Sequence, residues 1–135
     1  MTYEAEHNAI RTRFSTQWGS TTPVQYAGQN FTPDEGEAWV RLVVLDATAY
    51  QASFGDTTNY YRHPGVVIVS IFIPTSKGDK EALQLADQVA SIFRNWSDST
   101  TRMRFQAPPS IKTIGEAKPW YQINVICPFI RDTLF

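Results

Sequence analysis

Residues 65–74 read Gly-Val-Val-Ile-Val-Ser-Ile-Phe-Ile-Pro, with Ser70 the single polar side chain between Val66 and Ile73. A strand turns successive side chains to opposite faces, so this run places large apolar groups on both sides of any sheet it joins. Trp39 to Ala47 repeats the property. Val40, Leu42 and Val44 fall on one face and Trp39, Val43 and Leu45 on the other, interrupted only by Arg41. A sheet built on these two strands needs cover on both faces, because an open one would expose more apolar area than soluble monomers usually show.

The remaining elements supply cover for one side. Tyr3, Ile10, Phe14 and Trp18 draw an apolar stripe on a first helix. Thr2 is its expected cap, Glu4 and Glu6 are placed in its first turn to suit the helix dipole, and Gly19 is its stop. Ala82, Leu85, Ala86, Val89, Phe93 and Trp96 step at the three-four spacing of a second helix, from Lys80 to about Asn95. Ser76 with Asp79 fits a capping box in front of it, or Asp79 is itself the cap.

Shorter strands are expected at Val24–Tyr26, Arg102–Phe105 and Ile111–Ile114, and a last one from Trp120 to Cys127, where Tyr121, Ile123, Val125 and Cys127 alternate with Gln122 and Asn124. Thr32 to Glu37 is a turn cluster whose acids, Asp34, Glu35 and Glu37, read as solvated. The stretch from Thr48 to Asn59, with its Gly55-Asp56-Thr57-Thr58 turn, predicts a long hairpin arm. No repeat or linker divides the 135 residues. The expectation is one α+β domain over 1–135: a mixed, mostly antiparallel sheet of four or five strands with two helices packed on one face. The second face is then covered either by the arm or the 20–37 loop, or by a neighbouring subunit.

The residues give little support to catalysis. His7 and His63 stand singly beside one cysteine, without paired-ligand spacing, so no metal site is expected. Cys127 lies at the inward phase of a strand before Pro128, as an inert core thiol would. No serine sits in a Gly-x-Ser-x-Gly elbow, and the seven glycines lack phosphate-loop spacing. No cofactor is implied.

Twelve basic residues against thirteen acidic ones argue against general polyanion binding. Tyr60-Tyr61-Arg62-His63 and Arg102-Met103-Arg104-Phe105 mix basic and aromatic groups but read more simply as amphipathic strand ends. No apolar run reaches membrane-spanning length and Met1 to Ala9 is polar, so neither a membrane nor an export signal is expected. The Asn30-Phe31-Thr32 and Asn95-Trp96-Ser97 glycosylation patterns then read as chance.

The order of motifs resembles the tail-terminator family of long-tailed bacteriophages, of the lambda type. Tyr61-Arg62-His63-Pro64-Gly65 leads into the apolar strand ending in Phe72-Ile73-Pro74, followed by Gly78 and by Glu81-Ala82 and Leu85-Ala86-Asp87. Trp120 to Val125 with Pro128-Phe129, the first helix, and Asn30-Phe31-Thr32-Pro33 before the first long strand extend the likeness over nearly the whole chain. Ser70 is a departure, polar in the middle of its strand.

The resemblance implies a structural virion protein that is not an enzyme. It would close a homo-hexameric ring on the head-proximal end of the tail tube, stop tube polymerisation and present a surface to the head-completion or connector protein. Genomic DNA would pass through the lumen without specific binding, and assembly would take place in the host cytoplasm. The arm, with Tyr50, Phe54, Tyr60, Tyr61 and Arg62, is the expected contact with a neighbouring subunit or the tube. A head-tail joining or minor tail protein of related fold is the alternative reading, and a small cytosolic enzyme a more distant one.

Overall fold

A computed structural model describes residues 3–34, 36–75 and 78–134. The expected roles of Thr2, Ser76 and Glu35 lie outside the described residues. The chain runs α1 (Tyr3–Trp18), β1 (Val24–Tyr26), β2 (Trp39–Asp46), β3 (Tyr50–Gln51), β4 (Tyr60–Pro74), α2 (Lys80–Phe93), β5 (Ser97–Asp98), β6 (Met103–Arg104), β7 (Ser110–Ala117) and β8 (Trp120–Leu134). This is α+β with a mixed open sheet, as expected. Among the described residues the sheet has eight strands rather than four or five, in the order β1-β2-β4-β8-β6-β5, with β3 beside β4 and β7 beside β8. Two of the strands not expected from the sequence, β3 and β5, are only two residues long, too short to leave an alternation.

The frame is one long ladder. β4 and β8 pair antiparallel over their full lengths, from Tyr60↔Leu134 to Pro74↔Trp120. Both therefore outrun their expected ends at Gly65 and Cys127, and both carry a proline inside. Each proline falls where the flanking partner changes. Pro64 lies between the β3 pairing at Arg62 and the β2 pairing at Gly65. Pro128 lies between the β7 pairing at Ile126 and the β6 pairing at Ile130. A missing N–H is tolerated best where the ladder changes partner, and at Pro64 the carbonyl still accepts from the Ala47 N–H at 2.9 Å. β1 adds the parallel pairing, Val24↔Val40.

Register parity divides the sheet into two faces. The inner face carries Val40, Leu42, Val67, Val69, Ile71, Ile73, Ile123, Val125, Cys127 and Phe129, which join one buried core with Ile10, Phe14 and Trp18 of α1 and with Ala82, Leu85, Ala86, Val89, Ile92 and Phe93 of α2. A column of rings runs through it: Trp18 on Phe14, Phe14 on Phe93, Phe93 on Phe105 and Phe105 on Phe129, with centroids 5.2, 6.2, 5.2 and 5.3 Å apart. Close packing fixes Gly65, because a Cβ there would meet Phe129 Cζ at 2.5 Å and the Leu45 carbonyl oxygen at 3.0 Å. α1 stops at Gly19 (φ 60°), whose N–H donates to the Ser15 carbonyl. α2 ends at Phe93, earlier than expected, with Asn95 left-handed at φ 56°, a conformation asparagine tolerates better than most residues.

Candidate functional site

The outer face is a series of cross-strand rows. Trp39, Phe72 and Gln122 form the first, then Arg41, Ser70 and Asn124, then Val43, Ile68 and Ile126, then Leu45, Val66 and Pro128. The first row is covered. Phe31, from the loop before β2, packs on Trp39 at 5.1 Å; Trp39 stacks on Phe72 at 4.2 Å and meets Trp120 edge-on at 6.0 Å. Arg41 reaches over Phe72, its guanidinium carbon 5.3 Å from the ring centre. The 20–37 loop thus closes one end of the face, as one of the two expected covers. Beyond it Val43, Val66, Ile68, Ile126 and Pro128 are only half-buried and Leu45 is 52% exposed.

The same face runs on into the arm. Tyr50 pairs with Arg62 and Gln51 with Tyr61, and the Ala52 N–H donates to the Tyr60 carbonyl at 2.7 Å. Gly55 makes the bend at φ 90°, where a side chain would be strained. Beneath it the Ser53 hydroxyl accepts from the Tyr60 N–H at 2.8 Å. Of the five residues singled out from the sequence, Tyr50, Phe54 and Tyr60 are exposed, Phe54 at 78%. Tyr61 is half-buried, and alternation sends it to the opposite face from Tyr60. Arg62 is half-buried and committed: its Nε donates to Asp132 Oδ1 at 3.0 Å, while Arg104 Nη1 reaches Asp132 Oδ2 at 2.9 Å. Burial alone would push the Asp132 carboxyl up, but the two arginines outweigh it and hold it below the usual aspartate value. The two basic-aromatic segments noticed in the sequence meet in this one ion-pair node.

A second polar cluster lies on the inner face, under the start of α1. Glu6, expected as a first-turn acid suited to the helix dipole, is fully buried and accepts from Arg131 Nε at 2.8 Å. Arg131 is itself 1% exposed and lies over the Tyr3 ring at 5.0 Å. His63 bridges Thr133, at 2.9 Å, and the Tyr3 hydroxyl, at 3.2 Å. His7 Nε2 meets Asp46 Oδ2 at 2.8 Å.

Burial, and then the facing Asp46 carboxyl, push Glu6 up to about 7 against the pull of Arg131. Asp46 is held low: burial would raise it, but hydrogen bonds with Glu6 and His7 prevail. The missed signal was spacing. Glu6 stands four residues before Ile10, in step with Phe14 and Trp18, so it shares their buried stripe.

Neither cluster lines up a nucleophile with a base. Cys127 is buried in the core and its thiol is pushed up to about 12 by burial, which makes it a poor nucleophile. The outer face carries an apolar strip, exposed aromatics and a fixed charge node. The family model described as phage tail terminator protein matches residues 7–129. The chain belongs to the phage tail terminator family.

This terminator is thereby a structural component of the virion tail. A solved structure 20% identical to it superposes with a TM-score of 0.68, covering 93% of the terminator and 94% of the other chain. At that identity the likeness speaks for the fold alone. No curated protein matches the terminator significantly.

Proposed function

We propose that this terminator ends the tail tube by closing a ring of six copies on its head-proximal end, which halts polymerisation and gives the head connector a surface to join. The reading is carried by the outer face, where Val43, Leu45, Val66, Ile68 and Pro128 lie in register on a rigid sheet with access to solvent. Both helices lie on the inner side and Phe31 covers only the Trp39 end, so a neighbouring copy is the natural cover for the rest. A ring needs heterologous contacts, in which one patch of each copy meets a different patch of the next. The arm, with Phe54 at its tip and Tyr50, Tyr60, Tyr61 and Arg62 at its base, supplies the second patch toward a neighbour or the tube. DNA crosses the lumen without being gripped, in keeping with the near-balanced charge.

Negative-stain electron microscopy of the purified protein mixed with tail tubes, together with its native mass, tests this. Six copies of 15.3 kDa give a ring of about 92 kDa, expected at tube ends. A chain that stays monomeric beside tubes and leaves their ends bare contradicts the proposal. Binding to head connectors alone would reassign the chain as a head-tail joining protein.

A further inference from the structure

Three side chains from two distant parts of the chain converge where α1 begins. His7 Nε2 stands 2.8 Å from Asp46 Oδ2 and 3.4 Å from Glu6 Oε2, and one ligand atom from each residue lies within 4.8 Å of the other two. Ligands bound to one ion at about 2.1 Å are separated by about 3.0 Å in octahedral and about 3.4 Å in tetrahedral geometry. The two distances from His7 already lie near such edge lengths.

The second observation is the carboxylate of Glu6. It is wholly buried, and Arg131 occupies only Oε1. Oε2 is buried without a hydrogen-bond partner and faces the imidazole of His7. Asp46 offers it a partner only by sharing a proton between the two carboxyls, since without that proton both are acceptors. Arg131 thus fixes the rotation of Glu6 so that Oε2 points into the cluster, beside a second carboxyl and a ring nitrogen.

We propose that Glu6, His7 and Asp46 form a binding site for a divalent transition-metal ion of the Zn2+ type, tying the first turn of α1 to the end of β2. One imidazole nitrogen with two carboxylate oxygens suits this class, whereas Mg2+ and Ca2+ favour all-oxygen shells. The side chains of His7 and Asp46 are 31% and 23% exposed, which gives the ion an entry path and leaves a water position. His63 stays outside the site, held by Thr133 and Tyr3. All three ligands come from one chain, so the site depends on neither the ring nor the arm.

The untagged full-length chain, stripped with EDTA and dialysed, is titrated with ZnCl2 by calorimetry and thermal melting, beside His7→Gln, Asp46→Asn and His63→Gln. One ion per chain and a raised Tm are expected for the parent chain and for His63→Gln. Affinity should fall at least about tenfold in the other two variants, since even outer partners of metal ligands are worth that much. Mg2+ at the same concentration should not shift the melt. His7→Gln replaces a partly exposed side chain, so its fold, checked by circular dichroism, survives to decide the matter if Asp46→Asn does not. Failure of Zn2+ to bind the parent chain, equal binding by His7→Gln, or an equal response to Mg2+ overturns the site and leaves a shared proton as the link between Glu6 and Asp46.

Discussion

Along β4, Val67, Val69, Ile71 and Ile73 are fully buried, while Val66 and Ile68 between them keep access to solvent, although the two rows are equally apolar in sequence. The difference lies above the sheet rather than in it. Helical side chains join the inner-face core, whereas on the outer side the loop residue Phe31 packs on Trp39 at one end. The faces also treat charge differently. The inner one buries Glu6 with Arg131, where removing either partner strands an uncompensated charge; the outer one keeps Arg62, Asp132 and Arg104 partly wet. One face is sealed, and the other keeps access to solvent.

The sharpest way to break that contrast is to remove one arginine from each side. Arg131→Met removes the counter-charge of buried Glu6, which must then take up a proton, and is expected to cost about 3 kcal/mol in urea unfolding at pH 8, above the Glu6 value of about 7. Arg104→Met leaves Asp132 still paired with Arg62 and partly solvated, and is expected to cost less than about 1 kcal/mol. Equal losses would mean that the two faces do not differ energetically. Next in size comes Gly65→Ala. Its Cβ would press on the Phe129 ring and the Leu45 carbonyl, for an expected loss of about 1–3 kcal/mol. Val66→Ala, one residue on and facing outward, should cost less in the same measurement.

The elements with sustained periodicity were legible in the sequence: α2 through its three-four stripe, and the core of β4 through its unbroken apolar run. So was the arm, because Gly55 marks its bend. What escaped did so for definable reasons. β8 was cut at Cys127 because a proline ends most strands, and only the partner change from β7 to β6 explains why Pro128 does not. β3 and β5 are each two residues long and carry no period to read. Glu6 was read by its charge and not by its place in the stripe of Ile10, Phe14 and Trp18. The His7–Asp46 contact leaves no signal in the sequence, because its partners stand 39 residues apart.

A smaller effect tests the outer charge node by pH. The folded Asp132 carboxyl titrates below the usual 3.8, so its contribution is fully present above that value and is lost as pH falls through the folded one. Urea midpoints measured from pH 5 down to pH 2 should therefore decline less steeply in Asp132→Asn than in the parent chain. Identical slopes would show that Arg62 and Arg104 do not hold the carboxylate in solution.

The smallest effects on stability should accompany the largest on assembly. Leu45→Ser on the open strip, and Phe54→Ala with Tyr60→Ala on the arm, change side chains that are 52%, 78% and 44% exposed. Surface changes of this kind usually stay within about 0.5 kcal/mol, so their melts should nearly overlay that of the parent. If the outer face and arm are where copies meet, the same proteins should lose ring mass and leave tube ends uncapped. Leu45→Ser separates the two patches, since it alters the strip and spares the arm. Full capping by both sets of variants, with folding intact, would confine the terminator's contacts to some other surface and turn the open face into an ordinary solvent boundary.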